Sequence, residues 1–336
     1  MIFHATIFVL KLHYYRQHNN FVMALLNVKI TMAKILITGG TGLVGKALTK
    51  MLLSRGHQVT ILTRKIPSQA PATGIQYAIW DLTLGKIDKT ALDEMEYIIH
   101  LAGAAVVEKK WTAQYKKEII DSRTRGMDII ADQLKKTSHR LKAVISASAI
   151  GWYGPDQSTG ISFSESAPAA KDFLGETCRI WEESLIPFSA MGIRTCALRT
   201  GIVLTRDGGA LKEFEKPVRL GIAAILGNGK QKVSWIHIED LCRMYCFAIE
   251  KEINGAYNAV APAPVSNAGL TLGIAKKMKG NFFLSAHVPE FVLKLMMGER
   301  SVEVLKSCTV SAEKIKEAGF TFHYPSIEAA LQSLYP

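Results

Sequence analysis

A glycine-rich loop near the start of the chain has the spacing of a phosphate-binding loop. It runs from Thr38 to Gly45, follows a short apolar segment and leads into an amphipathic one. Glycines at this spacing allow a tight turn, close approach of the backbone to a pyrophosphate, and close packing of the next helix on a sheet. The start of that helix offers unpaired backbone N–H groups to phosphate charge. The sequence therefore predicts a dinucleotide site formed by Gly39, Thr41, Gly42, Leu43, Val44 and Gly45.

The end of the second predicted strand indicates which dinucleotide is bound. An NAD site usually carries an acidic residue here, which binds the 2′-hydroxyl of the adenine ribose. This chain has Thr63-Arg64-Lys65 instead. A guanidinium and an ammonium suit a 2′-phosphate, Arg64 by a bidentate contact. We predict NADP as the cofactor, with NAD as the alternative; the bland interpretation is that both side chains are surface charges of a loop.

Length and composition place the chain among ordinary globular proteins. It has 336 residues, of which 48% are hydrophobic and 21% charged, enough for one large domain or two coupled ones. The net charge of +12 would suit a polyanion, but the lysine clusters are short and dispersed, so no nucleic acid partner is expected. Five cysteines without a CxxC pair indicate neither a disulfide framework nor a metal site, and a cytoplasmic location is expected.

Residues 1–31 differ from the rest of the chain. Lys11, Arg16 and Lys29 interrupt the hydrophobic start, so no membrane span is predicted. Met32 opens a segment that leads directly into the first strand. We interpret residues 1–31 as an N-terminal extension and a possible start-site artefact.

From Lys34 onward, short β-rich apolar segments alternate with amphipathic helical ones. This alternation predicts an α/β fold with a Rossmann-type doubly wound parallel sheet. Near residue 200 the alternation loosens into glycine-rich loops, and helices are predicted around 290–297, 312–318 and 327–334. The expected domains are a nucleotide-binding domain over 32–285, with a smaller C-terminal substrate lobe formed mainly from about 200, and a helical tail over 286–336.

Several motifs in order resemble a known family. They include the TGGTGLVG loop, Trp80-Asp81-Leu82, His100-Leu101-Ala102-Gly103, Ser146-Ala147-Ser148, Tyr153-Gly154 and Trp235-Ile236-His237-Ile238-Glu239-Asp240. Together they resemble a short-chain dehydrogenase/reductase of the extended, epimerase-like type. Lys110-Trp111-Thr112, Ser122-Arg123 and the segment from Asp172 to Glu182 resemble its atypical YfcH-like epimerase family proteins. The tail resembles the C-terminal domain of unknown function that accompanies them.

The resemblance adds residues to the cofactor site. It implies that Asp81 and Leu82 lie at the adenine end and that Leu101, Ala102 and Gly103 lie beside the cofactor. Without the motif order, the favoured interpretations are that Asp81 is a strand-end turn residue and that His100 is a core histidine.

The family's proton relay is missing from this chain. Its enzymes use a Tyr-x-x-x-Lys helix, in which residues four apart share one face and reach the same junction. In the register set by Glu182, the tyrosine position holds Leu174 and the lysine position holds Cys178. Arg123 stands where the extended family usually has Asn, and its cationic fork suits an anionic group.

Five residues remain as catalytic candidates: Ser148, Tyr153, Arg123, Cys178 and Asp172. Ser148 could polarise a substrate carbonyl, and Tyr153 carries a titratable hydroxyl but is often structural at this place. Asp172 is an acid–base candidate or a helix cap, and Cys178 is reactive only if a cation lowers its pKa. The predicted function is an NADP-dependent oxidoreductase or epimerase-like enzyme with an unknown small-molecule substrate, as a monomer or homodimer. The alternative is a non-catalytic NADP-binding sensor or regulatory protein.

Overall fold

The centre of the molecule is an eight-stranded sheet. The computed structural model describes residues 32–68, 71–157 and 160–336, so the predicted N-terminal extension lies outside the described residues. The sheet has the order β12-β7-β6-β5-β1-β2-β3-β4, and every neighbouring pair is parallel except β3 with β4. Its strands are β1 (Lys34–Thr38), β2 (Gln58–Thr63), β3 (Ile75–Asp81), β4 (Lys86–Ile87), β5 (Tyr97–His100), β6 (Ala143–Ala149), β7 (Arg194–Thr200) and β12 (Gly255–Ala259).

Helices connect the parallel strands and cover both faces of the sheet. They are α1 (Leu43–Ser54), α2 (Ala113–Leu134), α3 (Phe173–Glu183), α4 (Ile186–Ala190) and α6 (Ile238–Glu250). The central strand β1 is fully buried at Leu36 and Ile37, whose side chains belong to different hydrophobic clusters. Because successive side chains of a strand alternate between faces, one strand contributes to the core on both sides of the sheet. The predicted doubly wound α/β fold is confirmed.

The chain beyond β7 builds a smaller lobe from short elements. These are β8 (Ile202–Leu204), α5 (Gly209–Arg219), β9 (Ile222–Leu226), β10 (Lys232–Val233), β11 (Trp235–His237), β13 (Val265–Ser266), α7 (Asn267–Lys279) and β14 (Leu284–Val288). Three two-stranded sheets, β10 with β13, β11 with β8 and β14 with β9, link them. Trp235 is completely buried in the core of this lobe.

The C-terminal segment contains α8 (Glu290–Met297), α9 (Ser301–Leu305), α10 (Glu313–Glu317) and α11 (Ile327–Leu334). Leu331 of α11 packs in the lobe core, whereas Ile315 and Phe320 pack in the cluster that lies against the main sheet. The tail therefore shares its apolar contacts with both parts of the chain. The predicted boundary at 285/286 stays a prediction.

Within the described residues, no helix combines the length and apolar character needed to cross a membrane. All five cysteines are buried and free of disulfide bonds.

Candidate functional site

A cleft of about 890 Å³ lies beside β1, β2 and β5 at their carboxyl ends. β1 pairs with β2 on one side and with β5 on the other, so the connections leave it in opposite directions. Ligands of doubly wound sheets bind at this switch point. The predicted cofactor residues that line the cleft are Gly39, Thr41, Gly42, Arg64, Lys65, Leu82, Leu101, Ala102 and Gly103.

The loop between β1 and α1 requires glycine at two positions. Gly39 has a φ of 71°, and a Cβ there would lie 2.7 Å from the backbone carbon of Leu101. A Cβ on Gly45 would lie 2.3 Å from the carbonyl oxygen of Gly39. Any larger residue would therefore push the loop away from β5 or from α1. The backbone forms a close cradle of the shape that a pyrophosphate requires.

The start of α1 is electrostatically open. Its N-cap is Gly42, which provides no side-chain hydrogen bond, and its first turn contains no acidic residue. Leu43, Val44 and Gly45 form this first turn, so their contribution is backbone N–H groups rather than side chains. A helix start of this kind attracts an anion, and the residues present fit a dinucleotide pyrophosphate.

The predicted 2′-phosphate residues line the same cleft from the strand next to β1. Arg64 and Lys65 are exposed at the end of β2 and line the cleft. Within the described part of the chain, neither has a carboxylate oxygen within 4.0 Å. Lys109 and Lys117 also line the cleft, but Glu118 and Asp121 lie 3.8 Å and 2.6 Å from their Nζ atoms. Arg64 and Lys65 thus remain available to an anionic ligand.

A buried hydrogen-bond chain fixes the floor of the cleft. The Thr38 hydroxyl accepts from the backbone N–H groups of Leu101 and Ala102, at 3.2 Å and 3.3 Å, and lies 2.7 Å from His100 Nδ1. Because the hydroxyl oxygen already accepts two hydrogen bonds, its own proton points to Nδ1, which accepts it. The neutral imidazole therefore carries its proton on Nε2. Nε2 then donates to the carbonyl oxygen of Arg123 at 2.8 Å.

His100 is consequently a neutral structural residue. It is completely buried, and burial lowers its pKa to about 4. The core interpretation of His100 agrees with this geometry. Its function is to connect β5 to α2 behind the segment that lines the cleft.

Arg123 lies against the inner side of the cleft wall. Its Nη1 donates to the Ile119 carbonyl at 2.8 Å and its Nη2 to the Ala104 carbonyl at 3.1 Å. The guanidinium packs 4.8 Å from the Trp181 ring centre and would lie 3.0 Å from a Cβ on Gly103. No carboxylate oxygen lies within 4.0 Å of it in the described ranges. Arg123 therefore holds the loop after β5 onto α2, although it does not itself line the cleft.

The two former relay positions are filled by apolar packing. Leu174 and Cys178 lie one turn apart on α3 and pack against Gly151, in the short 3-10 helix after β6. Burial raises the pKa of the Cys178 thiol to about 12, and its Sγ lies 3.6 Å from the Ala149 carbonyl oxygen. Cys178 is therefore protonated at neutral pH, which favours its packing role over a nucleophilic one.

Ser148 takes part in a buried polar network. Its hydroxyl donates to Glu182 Oε1 at 2.7 Å. The same carboxylate binds Arg199 at both oxygens, with Nε 2.8 Å from Oε1 and Nη2 2.9 Å from Oε2. Arg199 is 3% exposed and its guanidinium lies 3.6 Å from the centre of the Trp152 ring. The acid that set the sequence register is thus half of a buried ion pair.

Tyr153 lies at the far end of this network. Its hydroxyl accepts from Arg199 Nη1 at 3.0 Å and donates to Asn258 Oδ1 at 2.6 Å. Burial raises its pKa to about 12, and its ring stacks on Phe163. Because both hydrogen bonds and the raised pKa hold the proton on this hydroxyl, the structural interpretation of Tyr153 is favoured over proton transfer to a substrate.

For Asp172 and Asp81, the geometry agrees with the structural interpretations, a helix cap and a strand-end turn residue. Asp172 is the N-cap of α3, and its Oδ1 accepts from the Gly175 N–H at 2.8 Å. Asp81 Oδ1 accepts from the backbone N–H groups of Thr83 and Leu84, at 2.8 Å and 3.0 Å, and Asp81 does not line the cleft. The predicted catalytic set is therefore not gathered in the cleft, and its members stay predictions.

Helix α2 contributes lining residues that were not among the predicted cofactor residues. Tyr115, Ser122 and Arg125 line the cleft from this helix. Ser122 Oγ accepts from the Ala104 N–H at 2.8 Å, and Tyr115 donates to the Ala105 carbonyl. The signal was Gly126, since a Cβ there would lie 2.5 Å from the Trp80 ring and only glycine lets α2 approach so closely. In the described residues, no group of three or more potential metal ligands converges.

The switch-point cleft, the glycine cradle and the open helix start define a nucleotide-binding Rossmann protein. Residues 35–259 match the NAD dependent epimerase/dehydratase family, and residues 288–334 match a domain of unknown function, DUF1731. The chain belongs to the NAD dependent epimerase/dehydratase family. The predicted resemblance to epimerase family proteins with this C-terminal domain is confirmed.

Known proteins are similar to this chain over most of its length and over nearly all of their own. Epimerase family protein YfhF of Bacillus subtilis (strain 168) is 34% identical over 302 residues, which cover 89% of this chain and 97% of YfhF. The crystal structure of human epimerase family protein SDR39U1 (isoform 2) with NADPH has a TM-score of 0.77 and 27% identity, covering 90% of this chain and 99% of that one. The Thermus thermophilus UDP-glucose 4-epimerase complex with NAD shares the fold, at a TM-score of 0.71 and 16% identity, covering 90% and 97%.

Proposed function

We propose that this chain is an NADP-dependent oxidoreductase or epimerase-like enzyme that acts on a small molecule. The observation that carries the proposal is the cleft beside β1, which is lined both by the glycine cradle and by Arg64 and Lys65, two cations without a carboxylate partner among the described residues. The pyrophosphate would lie at the start of α1. The 2′-phosphate would lie at Arg64, whose planar fork matches phosphate oxygens. The NADPH in the human relative's structure supports this choice over NAD.

The bound cofactor would supply hydride transfer at its nicotinamide ring. The residues of this chain would hold it and shape the space beside it. Gly103 and Ala104 form the cleft wall there, and Arg123 fixes that wall from behind. Ser148 remains the proposed substrate-orienting hydroxyl, at the end of β6.

A titration of NADPH and NADH, followed by intrinsic fluorescence, tests the cofactor assignment. The wild-type protein should prefer NADPH, and Arg64→Glu should weaken NADPH binding about tenfold or more, because one charge-assisted phosphate contact is worth about 1.5–3 kcal/mol. NADH binding should change little. Unchanged NADPH affinity in Arg64→Glu would contradict the assignment.

A second candidate function is an NADP-binding sensor or regulatory protein. Leu174 and Cys178 favour it, because they fill the relay positions with groups that do not transfer protons. The two functions differ in turnover. Cofactor oxidation in the presence of sugars, ketones and quinones would support the enzyme, whereas nucleotide-induced thermal stabilisation without any turnover would support the sensor.

A further inference from the structure

Arg125 is a cation on α2 that lines the cofactor cleft. It is exposed, and no carboxylate oxygen lies within 4.0 Å of its guanidinium among the residues that the structure describes. Lys117, on the same helix and lining the same cleft, has Asp121 Oδ2 at 2.6 Å from its Nζ. The charge of Lys117 is therefore already neutralised by Asp121, whereas Arg125 has no such partner among the described residues.

The position of Arg125 along α2 indicates which part of the cleft it serves. The next residue, Gly126, packs so closely on Trp80 that a Cβ would lie 2.5 Å from the ring and 3.7 Å from Leu82 Cδ2. Trp80 and Leu82 line the cleft near the end of β3, which is the neighbour of β2. Arg125 therefore lies on the part of α2 that packs on the end of β3, the strand next to β2, whose end leads into Arg64 and Lys65.

We infer that Arg125 is a further specificity-determining residue for NADP, which binds the 2′-phosphate from α2 while Arg64 and Lys65 bind it from β2. This inference rests on the proposed function. A phosphate dianion has acceptors enough for two guanidinium groups, each able to make two parallel N–H···O contacts. Cations from two elements would enclose the phosphate, so the preference for NADP would not depend on the exposed end of β2 alone.

The test compares two neutralising substitutions, Arg125→Gln on α2 and the control Lys135→Gln at the C-terminal end of that helix. Lys135 does not line the cleft, and its Nζ lies 3.2 Å from Asp132 Oδ1. Each variant, and the wild type, is titrated with NADPH, NADH, adenosine 2′,5′-bisphosphate and AMP. Adenosine 2′,5′-bisphosphate and AMP lack the nicotinamide half, so their affinities report only on the adenosine half and its 2′-phosphate. Thermal unfolding of each variant verifies that it is folded.

We expect Arg125→Gln to weaken NADPH and adenosine 2′,5′-bisphosphate about tenfold, with NADH and AMP nearly unchanged. Lys135→Gln should change all four affinities less than about twofold. Since screening weakens contacts between exposed charges, the Arg125-dependent difference should shrink at high salt.

Two outcomes would overturn the inference and leave the proposed function intact. In one, Arg125→Gln weakens NADPH and NADH equally, which would place the guanidinium on the adenine base. In the other, Arg125→Gln has no effect, although Arg64→Glu abolishes the preference for NADPH. A wild-type protein that binds neither dinucleotide would overturn both the inference and the proposed function.

Discussion

At the scale of single residues, the predicted catalytic hydroxyls already have hydrogen-bond partners. Tyr153 donates to Asn258 and accepts from Arg199, while Ser148 donates to Glu182. The sequence could identify these residues by motif. It could not reveal that they hydrogen-bond to one another, because Asn258 and Arg199 come from strands distant in the chain. Cys178 shows the same limit, since its raised pKa arises from burial between α3 and the end of β6.

The first prediction concerns Tyr153. Tyr153→Phe removes the hydroxyl and leaves Arg199 Nη1 and Asn258 Oδ1 short of a partner, so unfolding in urea should require about 1–3 kcal/mol less free energy. NADPH affinity should stay within about twofold of the wild type, because Tyr153 does not line the cleft. A variant of unaltered stability that loses turnover of an identified substrate would instead support a catalytic hydroxyl.

His100 makes the stability of the protein dependent on pH. Its pKa is about 4 in the folded protein and 6.5 in the unfolded chain, so the unfolded state binds the proton more readily. Stability should therefore fall as the pH decreases from about 6.5 towards 4, by about 3 kcal/mol from this residue. Unfolding free energies of wild type and His100→Gln across this range isolate the contribution. The variant should show the shallower dependence, and parallel curves would contradict the neutral imidazole.

At the scale of elements, local sequence patterns predict the strands of the sheet better than the helices of the lobe. The predicted start of β1 at Lys34 and the predicted end of β2 at Thr63 agree with the structure, because the apolar segments of both strands are buried on both faces and end at polar residues. The helix α3 ends at Glu183, and Pro187 lies in the first turn of α4, where a missing N–H costs nothing. The helices α5 and α7 were missed, because Pro217 and several glycines obscure the periodicity that their contacts with the lobe core impose.

The junction of the glycine loop with α1 provides a prediction for NADPH binding. Gly45→Ala places a methyl group 2.3 Å from the Gly39 carbonyl, so the loop must move and NADPH binding should weaken at least about tenfold. Gly151→Ala is the matched control, since its methyl group would meet Leu174 Cβ at 3.4 Å, an ordinary contact. Calorimetric titration of both variants measures the difference. Equal affinities would show that the cradle does not hold the pyrophosphate.

At the scale of the whole molecule, one buried carboxylate ties the C-terminal segment to the rest of the chain. Asp240, completely buried at the start of α6, accepts from the backbone N–H groups of His323 and Tyr324 at 2.9 Å and 2.8 Å. Glu239 binds the Tyr324 hydroxyl at 3.0 Å, and the His237 ring lies 3.8 Å from the Tyr324 ring. The motif from Trp235 to Asp240 contains His237, Glu239 and Asp240, but their partners lie about eighty residues further along the chain. The oligomeric state, the cytoplasmic location and the absence of a nucleic acid partner stay predictions.

Asp240→Asn tests this attachment. The amide can accept at one oxygen only, so one of the two tail N–H groups loses its partner, and stability should fall by about 2–3 kcal/mol. Hydrogen exchange at His323 and Tyr324 should accelerate before exchange in the central sheet. Glu313→Gln is the control, because its pair with Lys316 is exposed and contributes little. Unchanged protection in Asp240→Asn would show that apolar packing alone holds the tail.

The same tail also contacts the segment from the end of β5 to the first turn of α2, other residues of which line the cofactor cleft. Arg300 Nη1 donates to the Val107 carbonyl at 2.6 Å, and Glu299 lies 2.7 Å from Lys116. Exchange of C-terminal segments between relatives would therefore not transplant an independent module. A functional chimera must carry over the residues around 107–116 and 237–243 together with the tail. Because these three segments contact one another through the tail, a substitution accepted in one of them during evolution constrains the residues that the other two can hold.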